Sequence, residues 1–351
     1  MKKLSLVALV ATASLLLTAG CTERTTDPQG PPAGPSTVAT DGAPGNAGDG
    51  DISVAFVPKL QGIPYFEEMN RGGAKAAEEF GFEWLYQGPT SSDAAAQSDI
   101  VRSFIQQGVD TLIVAPNDPD SLAPLLKEAQ DAGIRVATSD TDAPNSIREL
   151  FVNQTTTQNH GATLAETLAE AMGGSGKFAI VSCGETAANL NAYIDSAKEK
   201  MSADYPDIEF TQTVYAGEDQ ARAAQMATDL MNADPEINGL IGICASAAPA
   251  VAQAVQDAGR IGEVFTVGGG TPNDMKPYLK DGSSSGSVLW NVSDLGYLTG
   301  WAGWQLAQGE EFEESISVGE LEGVVYDPET MMMLLGGPFV FTAENVDEFD
   351  Y

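Results

Sequence analysis

From Asp51 onward, short apolar runs alternate with longer segments whose apolar residues recur every three or four positions. Short apolar runs predict buried strands, and the longer periodic segments predict amphipathic helices. The predicted strands are Ile52–Val57, Phe82–Tyr86, Thr111–Val114, Arg135–Thr138, Leu150–Val152, Phe178–Val181, Phe210–Val214, Leu240–Ile243 and Val264–Val267. The predicted helices are Tyr65–Phe80, Ala94–Gln107, Leu122–Ala132, Thr163–Met172, Ala188–Met201, Gln220–Ala233 and Ala247–Ala258.

Regular alternation of strands and helices predicts an α/β fold with parallel sheets and right-handed crossovers. The strand runs lack a polar alternation, which fits strands covered by helices on both faces. The units fall into two similar series, from about 51 to 153 and from about 154 to 280. A last helical pattern, Leu295–Gln308, needs a sheet to cover. We therefore expect two lobes joined by several chain crossings.

The start of the chain has the pattern of an export signal. Lys2 and Lys3 precede an apolar run from Leu4 to Leu17, which is too short to cross a bilayer and predicts a signal peptide over residues 1–20. Cys21 follows Ala19-Gly20 and resembles the lipidated cysteine of a bacterial lipobox, although Thr18 stands where that pattern favours an aliphatic residue. An ordinary signal peptide with an incidental cysteine is the alternative.

Residues 22–50 are rich in Thr, Pro, Gly, Ala and Asp and contain almost no large apolar side chains. Such a composition cannot form a core and predicts a flexible tether. With a lipid on Cys21, the tether would hold the folded part near a membrane surface. The predicted location is extracytoplasmic, either in the periplasm or on the outer face of the cytoplasmic membrane.

The net charge of the whole chain is −33, and the acidic residues are scattered rather than gathered in one block. A surface of this sign repels phosphate backbones, which argues against a nucleic-acid partner. The chain has a single histidine, His160, and three cysteines. We predict no metal site, no cofactor and no catalytic centre, because zinc sites and Ser-His-Asp triads need more of these residues or a nucleophile motif beside the histidine. His160 is expected to be structural or solvated.

Candidate binding residues follow the predicted strands, because ligands of open parallel sheets bind at the carboxyl ends of the strands. Amides, carboxylates, one ammonium and aromatic rings at these positions suit a neutral polyhydroxy ligand, whose hydroxyls both donate and accept hydrogen bonds. Helix capping is the alternative role for an Asp or Asn that follows a strand. The predicted ligand-binding residues are Lys59, Phe66, Asp140, Gln154, Asn189, Asn191, Ala245, Trp290 and Asn291.

Several motifs resemble the type I periplasmic sugar-binding proteins, and most closely their rhamnose-binding and autoinducer-2-binding branch. They are Val57-Pro58-Lys59-Leu60, Tyr86-Gln87-Gly88-Pro89-Thr90, Ser139-Asp140-Thr141-Asp142, Val152-Asn153-Gln154 and Thr271-Pro272-Asn273-Asp274-Met275-Lys276-Pro277-Tyr278. The resemblance implies two Rossmann-like lobes joined by a three-segment hinge. Their predicted extents are 51–153 plus about 283–315 for the N-terminal lobe, and 154–282 plus about 316–351 for the C-terminal lobe.

The resemblance also implies roles for individual residues. In that branch, the residues matching Lys59 and Asp140 contact the ligand. An Asp-Gln pair of the autoinducer-binding members is matched here by Asn189-Leu190, a Pro-Asp-Ala tip by Ile243-Cys244-Ala245, and a Trp-Asp pair by Trp290-Asn291. A site that lacks hydrogen-bond partners for a ligand rejects it strongly. We therefore expect a pentose, deoxyhexose or related sugar rather than autoinducer-2.

Cys183 and Cys244 each follow a predicted strand of the second lobe. In the strand order common to such lobes these strands are neighbours, about 4.8 Å apart, which a disulfide can span. An extracytoplasmic location is oxidising. We expect a disulfide at the floor of the cleft, with two small buried thiols as the alternative.

The sequence as a whole predicts a monomeric lipoprotein that captures a small neutral sugar and delivers it to the permease of an ABC importer. A sensory protein with the same pocket, signalling to a membrane receptor, is the first alternative. A secreted carbohydrate-active enzyme is the minor one, because a glycosidase needs two carboxylates across the bond it cleaves, and Asp140 with Glu185 could supply them.

Overall fold

The computed structural model describes residues 52–351, so the predictions for residues 1–50 lie outside the described residues. The strands are β1 (Ser53–Val57), β2 (Glu83–Tyr86), β3 (Thr111–Val114), β4 (Arg135–Ser139), β5 (Leu150–Asn153), β6 (Gly176–Ser182), β7 (Ile208–Tyr215), β8 (Ile237–Gly242), β9 (Phe265–Gly268), β10 (Gly286–Leu289), β11 (Ser315–Val318), β12 (Leu321–Asp327), β13 (Met332–Leu334) and β14 (Phe339–Phe341).

The helices are α1 (Pro64–Phe80), α2 (Ala94–Gln107), α3 (Pro119–Asp131), α4 (Thr157–Ala171), α5 (Ala188–Asp204), α6 (Gln220–Ala233), α7 (Ala247–Asp257), α8 (Pro272–Asp281) and α9 (Val292–Gln308). A short 3-10 helix, Val346–Glu348, follows the last strand. None of the helices between residues 52 and 351 combines the length and apolarity that crossing a membrane needs.

The first sheet has eight strands in the order β11-β12-β13-β5-β4-β3-β1-β2. Its strands from β13 to β2 are parallel, and β11 and β12 add an antiparallel edge. Successive residues of β1 face opposite sides, as the pleat of a strand requires. Val54 and Phe56 pack in one core with α1 and α9, whereas Ala55 and Val57 pack in another with α2 and α3. Burial on both faces explains the continuous apolar runs.

The second sheet has six strands in the order β14-β10-β9-β8-β6-β7, and only β14 among them is antiparallel to its neighbour. Helices α4 to α6 and most apolar residues of α7 pack against it in one core. The predicted α/β class, with two mostly parallel sheets arranged as two lobes, is confirmed.

The chain passes between the two sheets at three places: after β5, between β10 and α9, and between β13 and β14. The first lies at the predicted position near Asn153, but the other two do not. The prediction gave residues 283–315 to the N-terminal lobe, whereas β10 pairs with β9 in the second sheet. It gave residues 316–351 to the other lobe, whereas β13 pairs in parallel with β5 and completes the first sheet.

Helix α9 belongs to the first lobe because it packs closely against α1. A Cβ atom added at Gly296 would lie 2.0 Å from the carbonyl oxygen of Met69, and one added at Gly72 would lie 2.0 Å from that of Ser293. Real Cβ atoms never approach so closely, so the two helix backbones meet only because both positions are glycine. This contact keeps the start of α9, directly after the second chain crossing, in place above the first sheet.

Candidate ligand-binding cleft

Lys59 lies in the loop between β1 and α1. Helix α1 begins at Pro64, a residue suited to the first helical position. Asn117 Nδ2 donates a hydrogen bond to the carbonyl oxygen of Lys59 at 2.8 Å, which fixes the loop. The Lys59 side chain is buried, and its Nζ lies 3.1 Å from Asp140 Oδ2 and 2.8 Å from Asn189 Oδ1. The ammonium is therefore paired within the first lobe and also contacts the second.

Asp140 directly follows β4 and has a φ of +64°, a conformation that Asp adopts more readily than most residues. Its Oδ1 accepts a hydrogen bond from the Tyr65 hydroxyl at 2.8 Å. Its Oδ2 accepts one from Thr141 Oγ1 at 2.9 Å in addition to the contact with Lys59. Burial and the nearby Asp140 charge raise the pKa of Tyr65, so its hydroxyl remains a donor. Three donors of the first lobe thus hold this carboxylate.

Asn189 and Tyr193 bring the start of α5, on the second lobe, to the same place. Asn189 Nδ2 lies 3.4 Å from both the carbonyl oxygen and Oδ2 of Asp140. Gln154, just after β5, donates from Nε2 to the Asp140 carbonyl oxygen at 3.0 Å and contacts the Tyr193 hydroxyl at 2.7 Å. Polar contacts therefore connect the two lobes directly around Asp140.

Aromatic rings form the wall beside these polar groups. The Trp290 ring lies edge-on to Tyr65, with centroids 6.1 Å apart, and to His160, with centroids 5.2 Å apart. His160 also packs edge-on against Tyr193, and its burial lowers its pKa from 6.5 to about 3, so the imidazole is neutral. Among the described residues, His160 Nδ1 and Trp290 Nε1 are buried without a hydrogen-bond partner. Buried polar atoms are usually paired, and these two are exceptions in the aromatic wall.

Most of these side chains meet at one cavity of about 50 Å³ between the lobes. The described residues that line it are Lys59, Ile63, Tyr65, Phe66, Asp140, His160, Asn189, Leu190, Tyr193, Glu218, Ile243, Cys244, Ala245, Gly269, Leu289 and Trp290. Six of the predicted ligand-binding residues are among them, namely Lys59, Phe66, Asp140, Asn189, Ala245 and Trp290. The structure thus brings together residues that lie far apart in the sequence, at the facing ends of two sheets.

The other three predicted residues, Gln154, Asn191 and Asn291, do not line this cavity. Gln154 Nε2, at the first chain crossing, contacts the Asp140 carbonyl oxygen and the Tyr193 hydroxyl. Asn191 points the other way and donates to the Glu185 carbonyl oxygen at 2.8 Å. Asn291 is the N-cap of α9, where its side chain accepts from the backbone of Asp294. Hydrogen bonds within the protein engage the Asn191 and Asn291 side chains and the Gln154 Nε2 group, whereas Gln154 Oε1 is buried without a partner.

At the floor of the cleft, Cys183 and Cys244 follow the adjacent strands β6 and β8 and are joined in a disulfide, with Cα atoms 6.2 Å apart. Ser246, just beyond, donates to Glu218 Oε2 at 2.6 Å. The ligand atoms of Cys183, Cys244 and Glu218 all lie within 4.8 Å of one another. Because the two sulfur atoms are bonded to each other, they cannot serve as thiolate ligands to a metal ion.

The sequence reasoning missed several residues that line the cavity, above all Tyr65, His160, Tyr193 and Glu218. Glu218 lies just past the carboxyl end of β7, so the rule that selected the other strand ends could have found it. Tyr65 precedes the predicted Phe66 and could have been selected with it. Nothing in the local sequence marks His160 or Tyr193, because each reaches the cavity from a helix of the second lobe.

The polar and aromatic side chains of two lobes face each other across a shared cavity. This arrangement is typical of two-lobed ligand-binding proteins. Residues 54–311 match the family model of the periplasmic binding protein domain. The chain belongs to this family, and its resemblance to the type I sugar-binding members is confirmed.

Named relatives agree with this placement. A D-ribose/D-allose-binding protein of Pseudomonas aeruginosa is 30% identical over 237 residues, which cover 65% of this chain and 74% of that protein. The structure is similar to an ABC transporter solute binding protein of Clostridium phytofermentas with bound L-rhamnose, at a TM-score of 0.80 and 29% identity over 85% of this chain and 98% of that one. It is equally similar, at 0.80 and 25% identity over 86% and 100%, to LsrB of Clostridium saccharobutylicum in complex with AI-2.

Proposed function

We propose that this protein captures a small neutral sugar, of pentose or deoxyhexose size, between its lobes and delivers it as a monomer to the permease of an ABC importer. The observation that carries the proposal is the meeting of Lys59 and Asp140 from the first lobe with Asn189 from the second at one cavity. The ligands named for its relatives, among them ribose, allose and rhamnose, support this class of ligand.

The chemistry of the cleft fits a polyol. Hydroxyl groups can donate to Asp140 and accept from Lys59, and the Trp290 and Phe66 rings can cover the apolar face of a sugar. Leu190 lines the cavity where the autoinducer-binding members carry a polar residue of an Asp-Gln pair, and Asn189 replaces the carboxylate of that pair. Fewer polar partners at these positions favour a plain sugar over autoinducer-2.

Binding is coupled to the separation of the lobes. The Lys59–Asn189 hydrogen bond and the 2.9 Å bond from Thr186 Oγ1 to the Asn117 carbonyl oxygen both join one lobe to the other. Pockets for small ligands usually have about 300–1,000 Å³. Since the cavity has about 50 Å³, a sugar enters only when the lobes part and then takes over some of these contacts. A ligand that bridges both lobes favours the closed form, which is the form a permease would select.

A thermal-shift screen of the protein against pentoses, hexoses, deoxysugars and polyols tests the proposal. A ligand at about a hundred times its Kd stabilises the folded state by about 2.7 kcal/mol, which raises the Tm by several degrees. We expect at least one pentose or deoxyhexose to give this shift. If no sugar changes the Tm of the wild-type protein, the proposed function is wrong.

Two asparagines on the same helix provide a matched pair of variants for this screen. Asn189→Ala should abolish most of the shift, because Asn189 lines the cavity and contacts Lys59. Asn191→Ala should retain it, because that side chain contacts Glu185 instead.

We propose in addition that Cys21 carries a lipid that holds the protein at the outer face of a membrane. The support comes from the sequence, in which a signal-like segment and a tether flank Cys21. In cells that express the chain, the wild-type protein should sediment with membranes and the Cys21→Ser variant should not. Equal amounts of both proteins in the soluble fraction would contradict the anchor.

A further inference from the structure

Glu218 lines the same cavity as Lys59 and Asp140 but approaches it from the second lobe. It follows β7, the edge strand, and the loop after β7 turns back so that the carboxylate reaches Ser246 beyond the end of β8. The sugar contacts proposed above do not include this carboxylate.

The two carboxylates of the cavity differ in how far the protein already satisfies them. Asp140 receives hydrogen bonds from Tyr65 and Thr141 and an ion pair from Lys59, so both of its oxygens are engaged. Glu218 receives one hydrogen bond, from Ser246 to Oε2. Within the described part of the chain, no donor reaches its Oε1. An ionised carboxylate can accept about four hydrogen bonds, so Glu218 has the larger unused capacity.

The cavity also lacks a cation dedicated to Glu218. Lys59 is the one ammonium among the described lining residues, and it lies against Asp140. His160 is neutral and cannot replace it. Burial raises the pKa of Glu218, and the hydrogen bond from Ser246 and the charge of Lys59 only partly offset this effect. New donors would therefore stabilise the ionised form of this side chain.

On the basis of the proposed function, we infer that Glu218 is a specificity-determining residue that accepts hydrogen bonds from hydroxyl groups of the bound sugar. Asp140 and Lys59 then contact the sugar as an ion pair from the first lobe, whereas Glu218 recognises the hydroxyl pattern of the ligand from the opposite lobe. A sugar that lacks the hydroxyl facing Glu218 leaves the carboxylate without its donor and is rejected.

The experiment measures the Kd of D-ribose, L-rhamnose and D-arabinose by calorimetry for the wild-type protein and for Glu218→Gln. Glu185→Gln is the matched control, because it removes the same charge from an exposed loop of the same lobe that does not line the cavity. For the sugar that binds the wild-type protein, Glu218→Gln should raise the Kd tenfold or more. Glu185→Gln should keep the Kd for the same sugar within twofold of the wild-type value. Equal affinities for the two variants would overturn the inference while the proposed function stands.

A second measurement tests whether Glu218 recognises hydroxyl groups of the sugar. The monodeoxy forms of the sugar that binds are compared with the parent sugar on both proteins. For at least one position, the wild-type protein should reject the deoxy form at least tenfold, and Glu218→Gln should lose that discrimination. Unchanged discrimination at every position would overturn the inference. Failure of the wild-type protein to bind any sugar would instead remove the proposed function on which it rests.

Discussion

Replacing Asp140 by alanine should lower the free energy of unfolding by about 3–5 kcal/mol, because it leaves the buried Lys59 ammonium without its counter-ion. It also removes the acceptor of the Tyr65 hydroxyl. Sugar affinity should fall ten- to hundredfold, since a hydrogen bond to a charged group contributes about 1.5–3 kcal/mol. Chemical denaturation and calorimetry with the sugar identified in the screen measure the two effects separately.

Two control variants separate the effect of the Asp140 charge from that of its shape, and the effect of losing a cavity residue from that of losing a carboxylate elsewhere in the same loop. Asp140→Asn keeps the size of the side chain and its tolerance of a positive φ, so it should fold better than Asp140→Ala while still binding sugar weakly. Asp142, in the same loop, pairs with Arg148 outside the cavity, at 2.8 Å between Oδ2 and Nη2. Asp142→Ala should therefore lower stability but leave the Kd unchanged. A Kd for Asp140→Ala equal to that of the wild type would refute the assignment.

Loss of the Cys183–Cys244 disulfide should destabilise the protein by about 4 kcal/mol. The two cysteines are 61 residues apart, so the bond removes a large amount of conformational freedom from the unfolded chain. Urea denaturation of the wild-type protein, with and without a reductant, should show this difference as a shift of the midpoint. The double variant Cys183→Ala/Cys244→Ala should match the reduced wild type.

The control for this experiment is the same reductant applied to the double variant, whose midpoint should not move. Alkylation of the denatured, unreduced chain followed by peptide mapping reports the bond directly, because neither Cys183 nor Cys244 should carry the label. Full labelling of both cysteines would show that the bond is absent in solution.

The main elements of the fold were predictable because each leaves a local pattern in the sequence. The central strands of both parallel sheets are buried on two faces and appear in the sequence as apolar runs. The residues that follow those runs include Lys59 and Asp140, which line the cavity. Strands β10 to β14 were missed. β13 is only Met332–Leu334, and its place beside β5 depends on pairing with Phe151 and Val152, far away in the sequence. The pattern of apolar and polar residues around β13 does not indicate this long-range pairing.

The cleft was harder to predict than the fold, because residue type alone does not tell what a polar side chain contacts. Asn189 and Asn291 are the same residue at the start of a helix, yet one contacts Lys59 across the cleft and the other caps α9. The Gln154 amide contacts the Tyr193 hydroxyl, a partner that its residue type does not reveal. Such differences arise from tertiary packing, which a single sequence does not display.

The pairing of β13 with β5 and the packing of α9 against α1 have a consequence for the order in which the nascent chain can fold. The first lobe is built from residues on both sides of the second one, so the apolar surface under α9 stays uncovered until late in synthesis. The second lobe, formed mainly by the stretch from α4 to β10, can close its core earlier. An exposed apolar face on an unfinished chain invites aggregation, so the N-terminal half depends on rapid arrival of the C-terminal segment or on a chaperone.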